Sequence, residues 1–475
     1  MFHRIACVLI VAGCAPLAVA EMDVPAVGVA LTVYNNNFGV VQDTRYMNLP
    51  DTSGGNSGGC IVSFRDVAKL IDPTSVHFTS PTDPTGTTVL EQNYEYDLVS
   101  ADKLLDKYID QRIAVLTVAG ERFEGKLLSF DAGQLVLAGD NQLHMIQRPQ
   151  NVRNIEFSKL PEGLLTRPTL VWKVATNQPG DRLVQVTYQT AGLSWAADYT
   201  GVLNSDDTRM DFAGWVTLNN RSGATYKDAK LKLIAGDVRK IQPPQPRLID
   251  GISKSQLGRE AAAGAGFAEQ SFFEYHLYTL ERATTVADNQ VKQVELLTAS
   301  SVPVVKRYVF EPEGRYWHKR YGDSNEYKVN IYVELVNNEA SHLGMPLPKG
   351  KVRLYKQAQG GDKEFIGEDM IDHTPRDEKM KLYVGDAFDV VGEKTITNTK
   401  QGPRWYQESV KIELRNHKGT PVTILVREHN RRGGTWSVYN ASTPFKDIEA
   451  MTKEFEINVA PNGTSQLTFT SDYRW

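Results

Sequence analysis

The sequence predicts a mainly β protein of immunoglobulin-like β-sandwich modules, with one small barrel inserted among them. Three observations carry this expectation. Runs rich in Val, Ile, Thr, Tyr and Phe recur at intervals of roughly 8–15 residues, separated by Gly, Asn and Pro turns. Residues 101–157 hold a short helical pattern followed by five closely spaced strand patterns. Nowhere do strands alternate with crossover helices, which argues against a doubly wound nucleotide-binding fold.

Composition narrows the class. Of 475 residues, 41% are hydrophobic and 23% charged, the balance of a chain that buries cores, not of a disordered one. The 53 Lys+Arg against 57 Asp+Glu give a net charge of −4, too near zero to draw the whole protein to nucleic acid or anionic lipid. Three cysteines cannot build a disulfide scaffold.

The first element is a targeting segment. Met1-Phe2-His3-Arg4 is a short basic stretch, Ile5 to Ala12 is apolar, and Ala18-Val19-Ala20 is a small-x-small cleavage pattern. Residues 1–20 therefore read as a signal peptide, with a mature chain from Glu21 exported to the periplasm or cell surface. Val11-Ala12-Gly13-Cys14 also fits a bacterial lipobox, which would make the product a lipoprotein anchored through Cys14. No later run approaches about 18 consecutive apolar residues, so no transmembrane segment is expected in the mature chain. Loss of residues 1–20 removes Arg4 and two cysteines, leaving a net charge of −5 and Cys60. Beside Ile61 and Val62, that cysteine reads as a small core hydrophobe, not a reactive thiol.

Residues 21–100 are expected to form an N-terminal β segment. Two β-rich runs flank Asn35-Asn36-Asn37 and predict a hairpin, because Asn tolerates the left-handed conformation of tight turns. The Gly/Ser/Asn-rich residues 51–59 predict a loop and residues 60–64 a strand. Residues 66–70 predict a single helical turn, stopped by Asp72-Pro73.

Residues 101–160 are expected to be the small barrel. Leu104, Leu105, Tyr108 and Ile109 give the helix an apolar face, and strands follow near 112–118, 122–130, 134–138, 143–147 and 152–157. Gly125 in the second strand, within Phe123-Glu-Gly-Lys-Leu-Leu-Ser-Phe-Asp131, marks the sharp bend such a barrel needs. The unit resembles an Sm-like or SH3-like barrel. Sm proteins bind RNA, but the basic residues here, from Lys103 to Arg153, are matched by as many acids. A structural or protein-binding role without nucleic acid is the expectation.

Residues 161–475 read as the β-sandwich region. Strands are expected near 170–175, 183–190, 195–203, 210–219, 229–233, 272–280, 291–297, 304–310, 328–337 and 351–357. Others are expected near 408–416, 422–428, 435–439, 453–459 and 465–470. Between them, Pro243-Pro244-Gln245-Pro246 and an Ala/Gly tract place a flexible loop at 242–266. Trp195-Ala-Ala-Asp-Tyr199, Glu274-Tyr-His-Leu-Tyr-Thr-Leu280 and Leu343-Gly-Met-Pro-Leu-Pro348 stand out, as do Asp372-His-Thr-Pro375, Gly385-Asp-Ala-Phe-Asp389 and Asn416-His-Lys418. On these segments the chain resembles a bacterial envelope protein family of unknown function, a domain family related to the mucoidy-inhibitor-like proteins, from about Val29 to Trp475. The resemblance implies an exported, predominantly β protein and brings no catalytic motif.

Chemistry-bearing motifs are sparse. Gly55-Asn-Ser57-Gly-Gly59 fits a serine-nucleophile context, but no mature His precedes it and no strand–turn–helix elbow surrounds it. The mature histidines lack zinc-ligand spacing. His276 and His373 could each join a carboxylate, His373 with Asp389 being the pair to examine for hydrolase chemistry. Asp206, Asp207 and Asp211 share a turn without the regular spacing of a calcium loop. Trp317, Trp405 and Trp436 sit beside charged or turn residues, which suits glycan stacking, a protein contact or core packing. The Asn220, Asn440 and Asn462 sequons carry little weight for a bacterial export. No catalytic residue, metal site or cofactor is expected, and the binding residues are left open. The functional expectation is a non-enzymatic interaction or scaffold protein of the envelope, its partner an envelope protein or polysaccharide. The alternatives are a glycan-binding protein or an uncharacterised hydrolase.

Overall fold

The computed structural model describes residues 26–51, 59–96, 100–157, 165–236, 238, 267–272, 275–312, 324–358, 360–430, 432 and 434–475. The signal peptide with Cys14, Ser57, the 242–266 loop and Trp317 lie outside the described residues. The chain is mainly β, as predicted, in several sheets. Among the described residues no helix is long and apolar enough to cross a membrane. It divides into two compact units, the first made of Met1–Val29, Gln42–Val67 and Pro73–Tyr188, the second of Ala30–Val41, Ala68–Asp72 and Gln189–Trp475.

In the first unit, β3 (Cys60–Arg65), β11 (Thr169–Thr176) and β5 (Thr87–Glu95) form an antiparallel sheet with β11 central. Its alternating Leu170, Trp172 and Val174 are fully buried. The Trp172 ring lies 5.3 Å from Phe64 and 5.2 Å from Phe78, and its Nε1 donates to Gln92 Oε1 at 2.9 Å. Strand β12 (Gly180–Ala191) pairs with β4 (His77–Thr79) through Val186 and Phe78. Cys60 pairs opposite Val174 and is half-buried, and burial raises its thiol pKa, which disfavours the reactive thiolate.

The inserted element matches its predicted outline. Helix α1 (Ala101–Lys107) is capped by Ser100 Oγ, which accepts the Lys103 N–H at 3.2 Å. Strands β6 (Arg112–Thr117), β7 (Arg122–Phe130), β8 (Gln134–Ala138), β9 (Leu143–Gln147) and β10 (Val152–Phe157) follow, with a single turn α2 (Arg148–Asn151) before the last. A Cβ on Gly125 would lie 2.6 Å from the Ala138 carbonyl, so the bend there needs glycine. Closure is where the barrel expectation fails. The order is β10-β6-β7-β8-β9, and β9 and β10 remain the two edges of an open sheet. Leu105 and Tyr108 of the helical segment instead cover the core of Ile113, Val115, Leu127, Leu135, Leu137 and Ile146.

The second unit holds three groups of strands. In the first group, β1 (Gly28–Tyr34) runs parallel to β15 (Tyr226–Ala235), which continues to β17 (Tyr275–Leu280), β16 (Phe267–Phe272) and the short β18 (Thr284–Val286). Strand β2 (Phe38–Leu49) follows β1 across the predicted Asn turn, where Asn37 has a left-handed φ of 58°. The second group is a five-stranded sheet in the order β19 (Gln290–Pro303), β14 (Arg209–Asn220), β13 (Leu193–Leu203), β22 (Gly350–Gln357) and β23 (Lys363–Ile371).

The third group is a nine-stranded sheet that begins β27 (Thr435–Tyr439), β30 (Gly463–Arg474), β25 (Trp405–Asn416) and β24 (Lys379–Gly402). It continues β21 (Ser324–Val336), β20 (Val305–Phe310), β26 (Val422–His429), β29 (Thr452–Val459) and β28 (Phe445–Glu449). It folds over on itself: Val410, Ile412, Leu414, Leu467 and Phe469 from one half pack with Ile424, Val426, Phe455 and Ile457 from the other. That is the two-layer burial of a sandwich.

The helical turn expected at 66–70 is absent. Asp66 takes a left-handed φ of 67°, the Leu70 N–H goes out to the Ser222 carbonyl at 3.0 Å, and a single turn closed by the Ile71 N–H on the Ala68 carbonyl takes the helix's place. The tyrosines of two marked segments are tethers: Tyr199 donates to the Pro348 carbonyl at 2.7 Å and Tyr278 to the Pro346 carbonyl at 2.9 Å.

Three asparagines tie this unit's loops. Asn220, Asn337 and Asn416 are 0%, 0% and 1% exposed. The Asn416 amide donates to the carbonyls of Thr420, Val459 and Ala460, and its oxygen accepts the Lys418 N–H at 3.0 Å. Asn220 does the same with Ala224, Val286, Ala287 and the Ser222 N–H. Asn337 uses Met345, Thr374, Pro375 and the Gly344 N–H. Asn416→Asp keeps the shape but turns an acceptor toward those carbonyls, so it should cost about 3 kcal/mol or more in urea unfolding. Exposed Asn440→Asp should change little, and a loss for Asn416→Asp below about 1 kcal/mol would remove the clamp as a determinant of stability.

Candidate functional site

The pair singled out in the sequence does not assemble. His373 Nδ1 accepts the Lys349 N–H at 3.2 Å, next to the bridge between Leu347 and Thr374. Asp389 lies well along the β21–β24 ladder, between the Asn330–Asp386 and Lys328–Val391 pairs, whereas His373 precedes the ladder's first pair, Val336–Lys379. Val336 and Lys328 alone are separated by about 26 Å of strand. His276 sits on β17 opposite Ala235, and Glu274 lies outside the described residues. The aspartates diverge. Asp211 Oδ1 accepts the Ser301 N–H at 2.9 Å, Asp206 meets Ser205, and Asp207 turns to two lysines. Among the described residues no three His, Cys, Asp or Glu side chains converge as a metal site.

One hydroxyl–imidazole–carboxylate series escaped the sequence reading. Thr452 Oγ1 lies 2.9 Å from His429 Nδ1, and His429 Nε2 lies 2.6 Å from Glu311 Oε1. Strand pairing of His429 with Thr452 and the β20–β26 ladder bring these three together, and no linear motif could have shown it. Thr452 is only 2% exposed and its hydroxyl reaches Glu449 Oε2 at 3.3 Å, so it offers no open nucleophile. This series is a structural tie.

The displayed chemistry lies where β24 leaves its partner. Asp386 pairs with Asn330, yet the next pairing with β21 is Val391 with Lys328, so residues 387–389 leave that ladder before Val390 pairs with Asn416 of β25. Gly385 makes the departure with φ 148°, a value L side chains rarely adopt. Its N-terminal flank is tied by side chains: Tyr383 Oη donates to Asp386 Oδ1 at 2.9 Å, Lys328 Nζ meets Asp386 Oδ2 at 3.0 Å, and Tyr383 N–H donates to Asp369 Oδ2 at 2.7 Å. Burial and the bond to Asp386 push the Tyr383 phenol up to about 12, so it remains a donor at neutral pH. At the tip Phe388 is 95% exposed, and Phe365 and Met370 on neighbouring β23 are each 56% exposed.

Beneath this excursion is a cavity of about 220 Å³. Leu203, Ile331, Val333, Ile366, Val384 and Gly385 line it, with Asp207, Lys306, Lys356 and Asp386 as its polar part. Asp207, in a turn with a left-handed φ of 58°, joins Lys306 of β20, at 2.8 Å, to Lys356 of β22. Burial alone would raise the Asp207 pKa, but the hydrogen bonds and charges of the two lysines hold it below the usual 3.8. The same contact holds the Lys306 ammonium above its ordinary value, against the opposing effect of burial.

Two of the three singled-out tryptophans are now placed. Trp436 is packed, its ring parallel to Tyr473 at 6.4 Å. Trp405 lines an open cleft of about 510 Å³ with Arg404, Gln407, Asp472, Arg474 and Trp475.

Asp207→Asn leaves two lysines without their shared counter-ion and should cost about 2 kcal/mol in urea unfolding at neutral pH. The carboxyl's folded pKa lies below its unfolded one, so its contribution is present above 3.8 and is lost as pH falls through the folded value. The gap between wild type and Asp207→Asn should therefore close in acid; a gap that stays constant would show that the charge is not what stabilises.

Compared with known proteins, the sequence matches no family model and no curated protein significantly.

Proposed function

We propose that this chain is an exported bacterial β protein of the periplasm or cell surface that works as an interaction or scaffold module of the envelope. Its leader sequence and its resemblance to the mucoidy-inhibitor-like family support the location. The observation that carries the binding role is Phe388, 95% exposed at the tip of a tied excursion. Burying such a ring under a partner contributes about 2–3 kcal/mol. Because one flank is already fixed by Asp386 and Asp369 and the other by the pairing of Val390 with Asn416, less ordering entropy opposes that gain. An exposed aromatic side chain on a rigid support is a usual anchor of a protein contact.

Expression with the native leader tests the location. The protein released by osmotic shock should begin at Glu21; an acylated Cys14 would make it a lipoprotein, and retention of Met1 would overturn export. Phe388→Ser should lower the fraction of purified protein that sediments with isolated envelopes about tenfold, with its unfolding midpoint unchanged. Undiminished sedimentation would remove Phe388 as the contact.

A further inference from the structure

A second surface lies on the same unit, where the far ends of β24, β25 and β30 meet. Side chains opposite one another in an antiparallel ladder share a face. The pairs Trp405–Arg474, Gln407–Asp472, Lys400–Gln407 and Gly402–Trp405 therefore put one tryptophan and a set of planar polar groups on a single side of the sheet. The indole lies so close over Gly402 that any Cβ there would meet its Nε1. Trp405 is 36% exposed and Trp475, lining the same cleft, is 58% exposed.

The polar groups are held and oriented. Arg474 Nε donates to Asp472 Oδ2 at 2.7 Å, and the Asp472 side chain is only 8% exposed. Among the cleft's charged groups Arg474 and Asp472 pair with each other, and the Trp475 carboxylate balances Arg404 in the sum, so the positive excess at this face comes from Lys400 beside it. Neither Arg404 nor Lys400 has an ion-pair partner among the described residues.

We infer that this face binds an acidic polysaccharide, a chain of carboxylated sugars. A pyranose has an apolar C–H face that suits an indole, and edge hydroxyls that suit a carboxylate, an amide and a guanidinium. The cleft volume is within the range of ordinary ligand sites. An unpaired guanidinium takes a carboxylate through two parallel hydrogen bonds, which selects acidic sugars over neutral ones. Nucleic acid would also stack on tryptophan and is the competing polyanion. This surface is separate from the Phe388 excursion, and either assignment can fail alone.

Affinity electrophoresis of the full mature chain in gels containing polygalacturonate, dextran or single-stranded DNA tests the inference. Polygalacturonate should retard the protein and dextran should not. Trp405→Ala should weaken retardation at least about tenfold, and Arg404→Gln several-fold with a shallower salt dependence. Gly402→Val leaves every polar group in place but displaces the indole, and should reproduce Trp405→Ala with native circular dichroism. Equal retardation by dextran would overturn acid selectivity, and equal retardation by DNA would show only polyanion attraction. Retardation unchanged in both Trp405→Ala and Gly402→Val, or absent in the wild type, would overturn the site.

Discussion

Three buried side-chain amides hold the second unit's loops, and the displayed residues depend on them. An amide with no access to water must have its hydrogen-bonding groups satisfied, or the fold loses several kcal/mol at that point. Asn220 and Asn416 end β14 and β25, and Asn337 follows β21, the places where the chain leaves a sheet and its carbonyls lose ladder partners. Each amide grips one carbonyl of its own turn and two consecutive carbonyls from elsewhere in the chain. For Asn220 and Asn416 those far carbonyls lead into turns with left-handed Asn289 and Asn462, at φ 54° and 50°. Two strand groups are thus closed by one local device.

The Asn337 clamp reaches furthest. Its amide holds the Met345 carbonyl and those of Thr374 and Pro375, so the turn before β22 and the turn before β24 are fixed together. That sets where β24 enters the nine-stranded sheet. The point of entry determines where the strand pairs with β21, where it leaves, and hence where Phe388 emerges. The cavity beneath is bounded by β21 and β24 on one side and β13, β22 and β23 on the other, with Asp207 tying a lysine from each sheet.

The inserted element was legible because its signals are local. Bounds of β7 to β10 follow from apolar alternation and Gly turns alone, and the presence of α1 from its apolar spacing. Open edges in place of a closed barrel were not legible, because covering the core with Leu105 and Tyr108 is a tertiary choice. The longest strand, β24, also escaped. Its inward positions run Val390, Gly392, Lys394, Ile396, and the glycine and lysine break the alternation that announces a strand. Gly392 is small because the buried Phe310 ring fills the space where its side chain would be. At the displayed sites the residues were visible and their exposure was not. Trp405 and Trp436 have similar polar neighbours in sequence, yet one lies on the outer side of the sheet and the other packs on Tyr473.

Lys394 explains how so irregular a strand keeps one register. It is 5% exposed, and its Nζ lies 2.7 and 2.6 Å from the two Glu428 oxygens on β26, a strand that is not its neighbour in the sheet. Such a pair contributes little net stability over an apolar replacement, because desolvation offsets most of the attraction. Its effect is on alternatives. A one-residue slip of β24 turns Lys394 outward, presents Glu393 or Thr395 to the core and leaves Glu428 buried without its cation, at about 3–5 kcal/mol. The slip would also move Lys400 and Gly402 to the inner face, under Trp405 no longer. A charge pair buried in an otherwise apolar sandwich therefore fixes which side of the sheet presents the tryptophan, the lysine and the arginines to solvent.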